Sequence, residues 1–200
     1  MKLVFYSLIL NNHQANVADE LWNLTGHNYY FVELANLQAE HRKGDSYDYS
    51  DRPYLLRAWQ SKKNYSKAME LAQTAECCVF SGVQALPFQK IRMKRGLLSF
   101  DMSERWLKRG VLNLFLRTIL KMSFAFHFGG WGRRWLYTFC CSAFAAADQY
   151  KVGTYQGRCY KWGYFTRVEK VDVEAFSDVS TLNITPLMWC SRYLMLKHPE

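Results

Sequence analysis

Cys77-Cys78-Val79-Phe80-Ser81-Gly82 is an apolar run closed by a turn pair. A basic helical segment over 87–95 follows, then Gly96, then a second apolar run, Leu97-Leu98-Ser99-Phe100. Short apolar strands on either side of a helix-length segment are the signature of a βαβ unit, which pairs its strands in parallel. The same alternation extends in both directions. Upstream stand an apolar strand over 3–10, an amphipathic helix over 16–24 closed by Gly26, a strand over 29–34 and a helix over 63–74. Downstream, beyond a long insertion, come a strand over 136–141, a helix over 143–150 and a strand over 158–164. The pattern predicts an α/β fold: a Rossmann-like parallel sheet with helices on both faces. Such sheets hold their ligands at the C-terminal ends of the strands. The residues to watch there are 11–14, Ser81-Gly82, 103–105, Ser142, Gly163-Tyr164 and Arg192.

Composition narrows the classes. With 200 residues, 50% hydrophobic and 16% aromatic, the chain can bury a sizeable core, and disorder is excluded. A net charge of +9 points to an anionic partner. Cys77-Cys78 and Cys140-Cys141 are adjacent pairs within strands, so their side chains point to opposite faces and make no CxxC metal knuckle. Buried, reduced thiols of a cytosolic protein are the expectation, with zinc binding as the weaker alternative and no metal ligands singled out. The first apolar run is too short for a signal peptide and lacks a cleavage site, and no 18-residue uncharged apolar run occurs. Asn11-Asn12-His13-Gln14 lacks the GxGxxG that admits a pyrophosphate, which argues against a dinucleotide oxidoreductase. No recognised nucleic-acid-binding motif is present, so nucleic acid is not an expected partner.

The tail decides the domain reading. Leu187-Met188-Trp189-Cys190 is an apolar strand, Ser191-Arg192 its exit turn, and Lys197-His198-Pro199 leads to a helix start. A strand and turn without their helix cannot bury their apolar faces. The expectation is one domain over 1–184, with a linker and the first strand of a second domain over 185–200.

Together with Trp189-Cys190-Ser191-Arg192…Lys197, the segments Cys141-Ser142-Ala143, Lys161-Trp162-Gly163-Tyr164-Phe165 and Tyr54-Leu55-Leu56-Arg57-Ala58-Trp59 carry a resemblance. The chain resembles the N-terminal, acceptor-side half of retaining GT-B glycosyltransferases that use nucleotide sugars, in the subset linked to surface-polysaccharide synthesis. The resemblance implies a donor diphosphate contacted by Arg192 and Lys197, although Ser191 stands where that family has a Gly. It implies a glycan or lipid-linked acceptor, no cofactor, a cytoplasmic location at the inner face of the membrane, and a half-enzyme inactive by itself. A non-catalytic remnant or a peripheral membrane module is the alternative.

Relatives carry a His after the fifth strand, where this chain reads Phe100-Asp101-Met102-Ser103-Glu104-Arg105. Glu104 as a base or orienting carboxylate competes with a helix cap in which Ser103 is the N-cap. His13, after the first strand, is the second candidate catalytic residue. Asn12, Ser103, Arg105, Ser142 and Tyr164 are the candidate acceptor contacts. For Gly163 a turn with positive φ is expected. Asp101 and Asp148 carry no motif.

From 105 to 135, seven Arg and Lys residues interleave with Trp, Phe and Leu. A helix over 111–126 would be greasy around most of its surface, with Arg117 and Lys121 in line. That pattern suits an anionic membrane surface, plain packing within the domain, or another subunit.

Overall fold

The computed structural model describes residues 1–36, 49–108 and 110–165. The tail strand, Arg192 and Lys197, and the proposed boundary at 184 lie outside these residues. Among the described residues seven strands form one sheet: β1 Leu3–Ser7, β2 Tyr29–Glu33, β3 Leu55–Arg57, β4 Cys77–Ser81, β5 Ser99–Ser103, β6 Leu136–Cys140 and β7 Cys159–Lys161. The order is β3-β2-β1-β4-β5-β6-β7, and every neighbouring pair is parallel. The fold class read from the alternation is the one observed: a doubly wound, Rossmann-like sheet. The chain reverses its direction of winding between β1 and β4, which opens a crevice at their C-terminal ends.

Among the described residues the α-helices are α1 Asn12–Leu24, α2 Lys62–Thr74, α3 Leu86–Arg95, α4 Arg117–His127 and α5 Ala145–Lys151. Ala15 and Ala18 of α1 bury against Leu3, Phe5, Tyr29 and Phe31 on one face of the sheet. Ala68, Leu71 and Ala72 of α2 and Phe88 of α3 bury against Val4, Tyr6, Cys78 and Phe80 on the other. Strands buried on both faces explain why β1, β2 and β4 read as continuous apolar runs.

Local chemistry sets the helix ends. The Asn11 side chain accepts the His13 N–H at 3.0 Å, so α1 begins at Asn12, four residues before the expected start, and places Asn12 and His13 in its first turn rather than in a loop. Ser61 caps α2 through the Asn64 N–H at 3.1 Å. Pro87 stands in the first turn of α3, and Gly96 closes it in the left-handed conformation at φ 66°.

Three expectations need correction. The edge strand β3 lies between the expected strand over 29–34 and the expected helix over 63–74, where no strand was expected; three residues are too few to show a period. β5 runs to Ser103, so Asp101, Met102 and Ser103 are strand, drawn in by pairing with Phe80, Ser81 and Cys140 on either side. The expected helix over 111–126 is instead a 3-10 turn, Gly110–Phe115, followed by α4, with a break at the extended Leu116.

The helix read as basic, α3, also hides an internal charge. Arg92 of α3 is fully buried. Its guanidinium donates to the Ser99 hydroxyl (3.0 Å) and to the carbonyls of Ala72 (2.9 Å), Ala75 (2.9 Å), Glu76 (3.3 Å) and Leu98 (2.6 Å). The Ala72 and Ala75 carbonyls belong to the end of α2, where the helix dipole is negative. One planar fork thus joins α2, α3 and the entry to β5.

Candidate functional site

His13, Glu104 and Tyr164 arrive from the first turn of α1, the exit of β5 and the segment after β7, and they meet at the C-terminal edge of the sheet. The Tyr164 hydroxyl donates to Glu104 Oε1 at 2.7 Å, and its ring lies 5.3 Å from the His13 imidazole. The Phe165 N–H donates to the His13 carbonyl at 3.1 Å and the Asn16 amide donates to the Phe165 carbonyl at 3.2 Å, which pins this segment onto α1. His13 Nδ1 is buried and has no hydrogen-bond partner. Lys108 bonds the other oxygen of Glu104. The Lys108 ammonium and then the Tyr164 hydroxyl hold the Glu104 carboxyl below the usual range. Glu104 is therefore an ionised acceptor and a weak base at neutral pH. Burial, and then Glu104, push the Tyr164 phenol up, so it stays a donor.

Of the remaining expected residues, Ser103 and Arg105 have structural partners. Ser103 is buried; its hydroxyl donates to the Glu104 carbonyl at 2.8 Å and accepts from the Gln149 amide at 3.2 Å. No helix follows Ser103, so the capping reading of Ser103-Glu104 does not hold. The Arg105 guanidinium spans both oxygens of Asp148 at 3.1 and 3.3 Å and lies 5.1 Å from the Phe144 ring centroid. Asp148, almost wholly buried, also accepts the Leu107 N–H at 3.0 Å. Arg105 and Asp148 thus anchor the start of the insertion to α5. Sequence gave Asp148 no role because its partners lie more than 40 residues away. Ser142 opens the turn into α5, with its carbonyl accepting the Ala145 N–H at 3.2 Å and its Oγ buried without a partner. Asn12 lies at the start of α1. Gly163 is not among the glycines with positive φ, so its expected turn is absent.

Beside this network a cleft of about 330 Å³ opens at the ends of β4 and β5 beneath the insertion. Gly82, Val83 and Leu86 form one wall, Trp106, Leu116, Ile119 and Met122 another, and residues 101–105 the floor. Gly82 adopts φ 83°, ψ 162°, a region open in practice to glycine alone, and this lets the chain turn from β4 into the wall. Asp101 stands on the floor, half-buried. Burial pushes its carboxyl up to about 7, and the neighbouring Tyr155 hydroxyl lowers it only in part. The sequence reading gave Asp101 no motif, although a carboxylate directly after an apolar strand was the available signal.

The cysteines fit the expectation of inert thiols. Cys77, Cys78 and Cys140 are buried and free, and burial pushes Cys77 up to about 11 and Cys78 and Cys140 up to about 12. Among the described residues no group of three His, Cys, Asp or Glu stands together to hold a metal, and no helix is long and apolar enough to cross a membrane.

No family model matches the chain, and no curated protein matches it. Among solved structures, it is similar to a UDP-N-acetylglucosamine 2-epimerase from Rickettsia bellii, with 13% identity and a TM-score of 0.44. The match covers 82% of this chain and 45% of that one, so the chain spans under half the length of the protein it matches. A likeness at that level carries no functional conclusion. The architecture stands on the chain's own strand order and pairing, which are those of a Rossmann-like parallel α/β sheet.

Proposed function

We propose that this chain is the acceptor-side half of a glycosyltransferase that moves a sugar from a nucleotide-sugar donor to a glycan or lipid-linked acceptor in surface-polysaccharide synthesis. The observation that carries the reading is the meeting of His13, Tyr164 and Glu104 beside a cleft at the C-terminal edge of the sheet, where doubly wound folds bind ligands. Glu104 and His13 would orient the acceptor, and Arg192 and Lys197 would hold the donor diphosphate. Two cations stabilise the charge that grows on a departing diphosphate.

Calorimetry tests the reading. UDP, GDP and their common sugars are titrated into this chain and into a version extended downstream by a nucleotide-sugar-binding domain. Binding by the extended protein, lost when Arg192 and Lys197 become Ala, is the expected result. Binding by neither protein counts against it.

The insertion favours a second reading, peripheral membrane contact. Val111, Leu112, Phe115, Leu120, Phe124, Phe128 and Trp135 are exposed, Phe115 and Phe128 by 76% and 79%, and the exposed Arg117 and Lys121 stand among them. Of α4 only Ile119 is buried. Cations for headgroups and aromatics for the acyl boundary are what an interfacial helix requires. Cosedimentation with anionic vesicles but not with neutral ones, at low salt, is expected; equal behaviour with both counts against it.

A further inference from the structure

The floor of the cleft holds a polar group that the Glu104 network does not use. Asp101 pairs in register with Phe80 on β4 and Thr138 on β6, so the Asp101 and Thr138 side chains share one face of the sheet. Thr138 is fully buried, and its Oγ1 has no hydrogen-bond partner. Tyr155, also buried, brings its hydroxyl beside Asp101 without a hydrogen bond of good geometry. It does so from φ 51°, a left-handed conformation that bulky residues avoid and that persists only where the surroundings impose it. Its ring is held there by Phe126, 4.8 Å away. Cys140 and Cys141 also feel the Asp101 charge, and Glu104, Arg105 and Lys108 line the same cleft. Arg105 and Lys108 are bonded to Asp148 and Glu104, and no cation is paired with Asp101 among the described residues. Of the Asp101, Thr138 and Tyr155 side chains, only the half-buried Asp101 carboxyl lines the cleft, and the fully buried Thr138 and Tyr155 hydroxyls lie behind the lining.

The lining selects the ligand. The lining group without a cation is the Asp101 carboxyl, which calls for a ligand hydroxyl that donates to it. Leu86, Ile119 and Met122 call for an apolar body, and the Trp106 indole offers a flat face for ring C–H groups. A phosphate would meet Asp101 and Glu104 as like charges. We propose that the cleft binds an uncharged, hydroxyl-bearing ring such as a sugar, with Asp101 accepting a hydrogen bond from one of its hydroxyls. This narrows the acceptor reading above and rests on it for biological context, but the site itself is defined by Asp101 and the apolar walls of the cleft.

The test follows the Asp101 carboxyl by carbon-13 NMR while glucose, galactose, mannose, N-acetylglucosamine or, as the contrasting probe, inorganic phosphate is added to the chain. At least one sugar is expected to move the Asp101 resonance and lower its titration midpoint, because a donated hydrogen bond favours the charged form. Asp101→Ala is expected to weaken that sugar roughly tenfold or more. The wild-type titration stands even if a variant fails to fold. No sugar moving the resonance up to its solubility limit, or phosphate moving it more, overturns the proposal. Sugar binding through Asp101 without any donor binding by the extended protein would leave this site standing and remove the transferase reading. Donor binding with a silent Asp101 would do the reverse.

Discussion

Replacing Arg92 by Met keeps the length and apolar stem of the side chain and removes its donors. The native guanidinium serves one hydroxyl and four carbonyls, all within 3.3 Å, at a position with no exposure. The carbonyls are not equally stranded by its loss. Leu98 keeps the Cys78 N–H at 3.3 Å, and Ser99 can still donate to the Leu97 carbonyl at 3.0 Å. The Ala72, Ala75 and Glu76 carbonyls are left to whatever water can enter. Each stranded buried group costs about 1–3 kcal/mol. Removing the unfavourable burial of the charge itself offsets part of this, since uncompensated ions are expensive to desolvate. The expected net loss is about 3–5 kcal/mol, on the order of a 10 °C fall in Tm for a chain of this size. Arg92→Lys keeps the charge but cannot span five acceptors in one plane, and it should lose about half as much. Urea denaturation followed by circular dichroism and tryptophan fluorescence measures both variants. A loss below about 1 kcal/mol for Arg92→Met would refute the claim that this fork fastens α2 to β5.

The remaining expectations are as follows. The folded chain binds the Asp101 proton more tightly than the unfolded chain does, so its contribution to stability is fully present below about pH 4 and is lost as pH rises towards about 7. Asp101→Asn should flatten that decline, raising Tm at pH 8 but not at pH 4; parallel profiles for the two proteins would contradict the assignment. Asp148→Asn weakens the Arg105 pair at a buried position and should cost about 2–4 kcal/mol, with amide exchange rising first at Leu107 and the following 3-10 turn. Uniform loss of protection across the sheet would argue against a local anchor. Gly82→Ala forces a side chain into a glycine-only conformation and should cost about 1–3 kcal/mol, although its Cβ would meet only ordinary contacts, 3.5 Å from Gln84 and 3.9 Å from Leu8. A neutral thermal shift would show that the turn can relax.

The sequence by itself determined the layers. Short apolar runs separated by helix-length segments were enough to give a parallel sheet, because strands buried on both faces and glycines that close helices are short-range signals. Gly26 and Gly96 closed α1 and α3 where the sequence placed them, and the C-terminal edge of the sheet, with His13, Glu104 and Tyr164 as its residues, followed from the same alternation. Other features depended on partners distant in the chain. β5 reaches Ser103 because β4 and β6 pair with it, and that register sets Asp101 beside Thr138. Arg92 reads as one more surface cation until α2 lays two carbonyls across it. Arg105 and Tyr164 looked equivalent as loop residues, yet one is bound to Asp148 and the other meets Glu104 and His13. Periodicity acts over a few residues, whereas the meeting of single polar groups across 40 to 150 residues is fixed only by strand register and helix packing, and that is where tertiary structure decided the site.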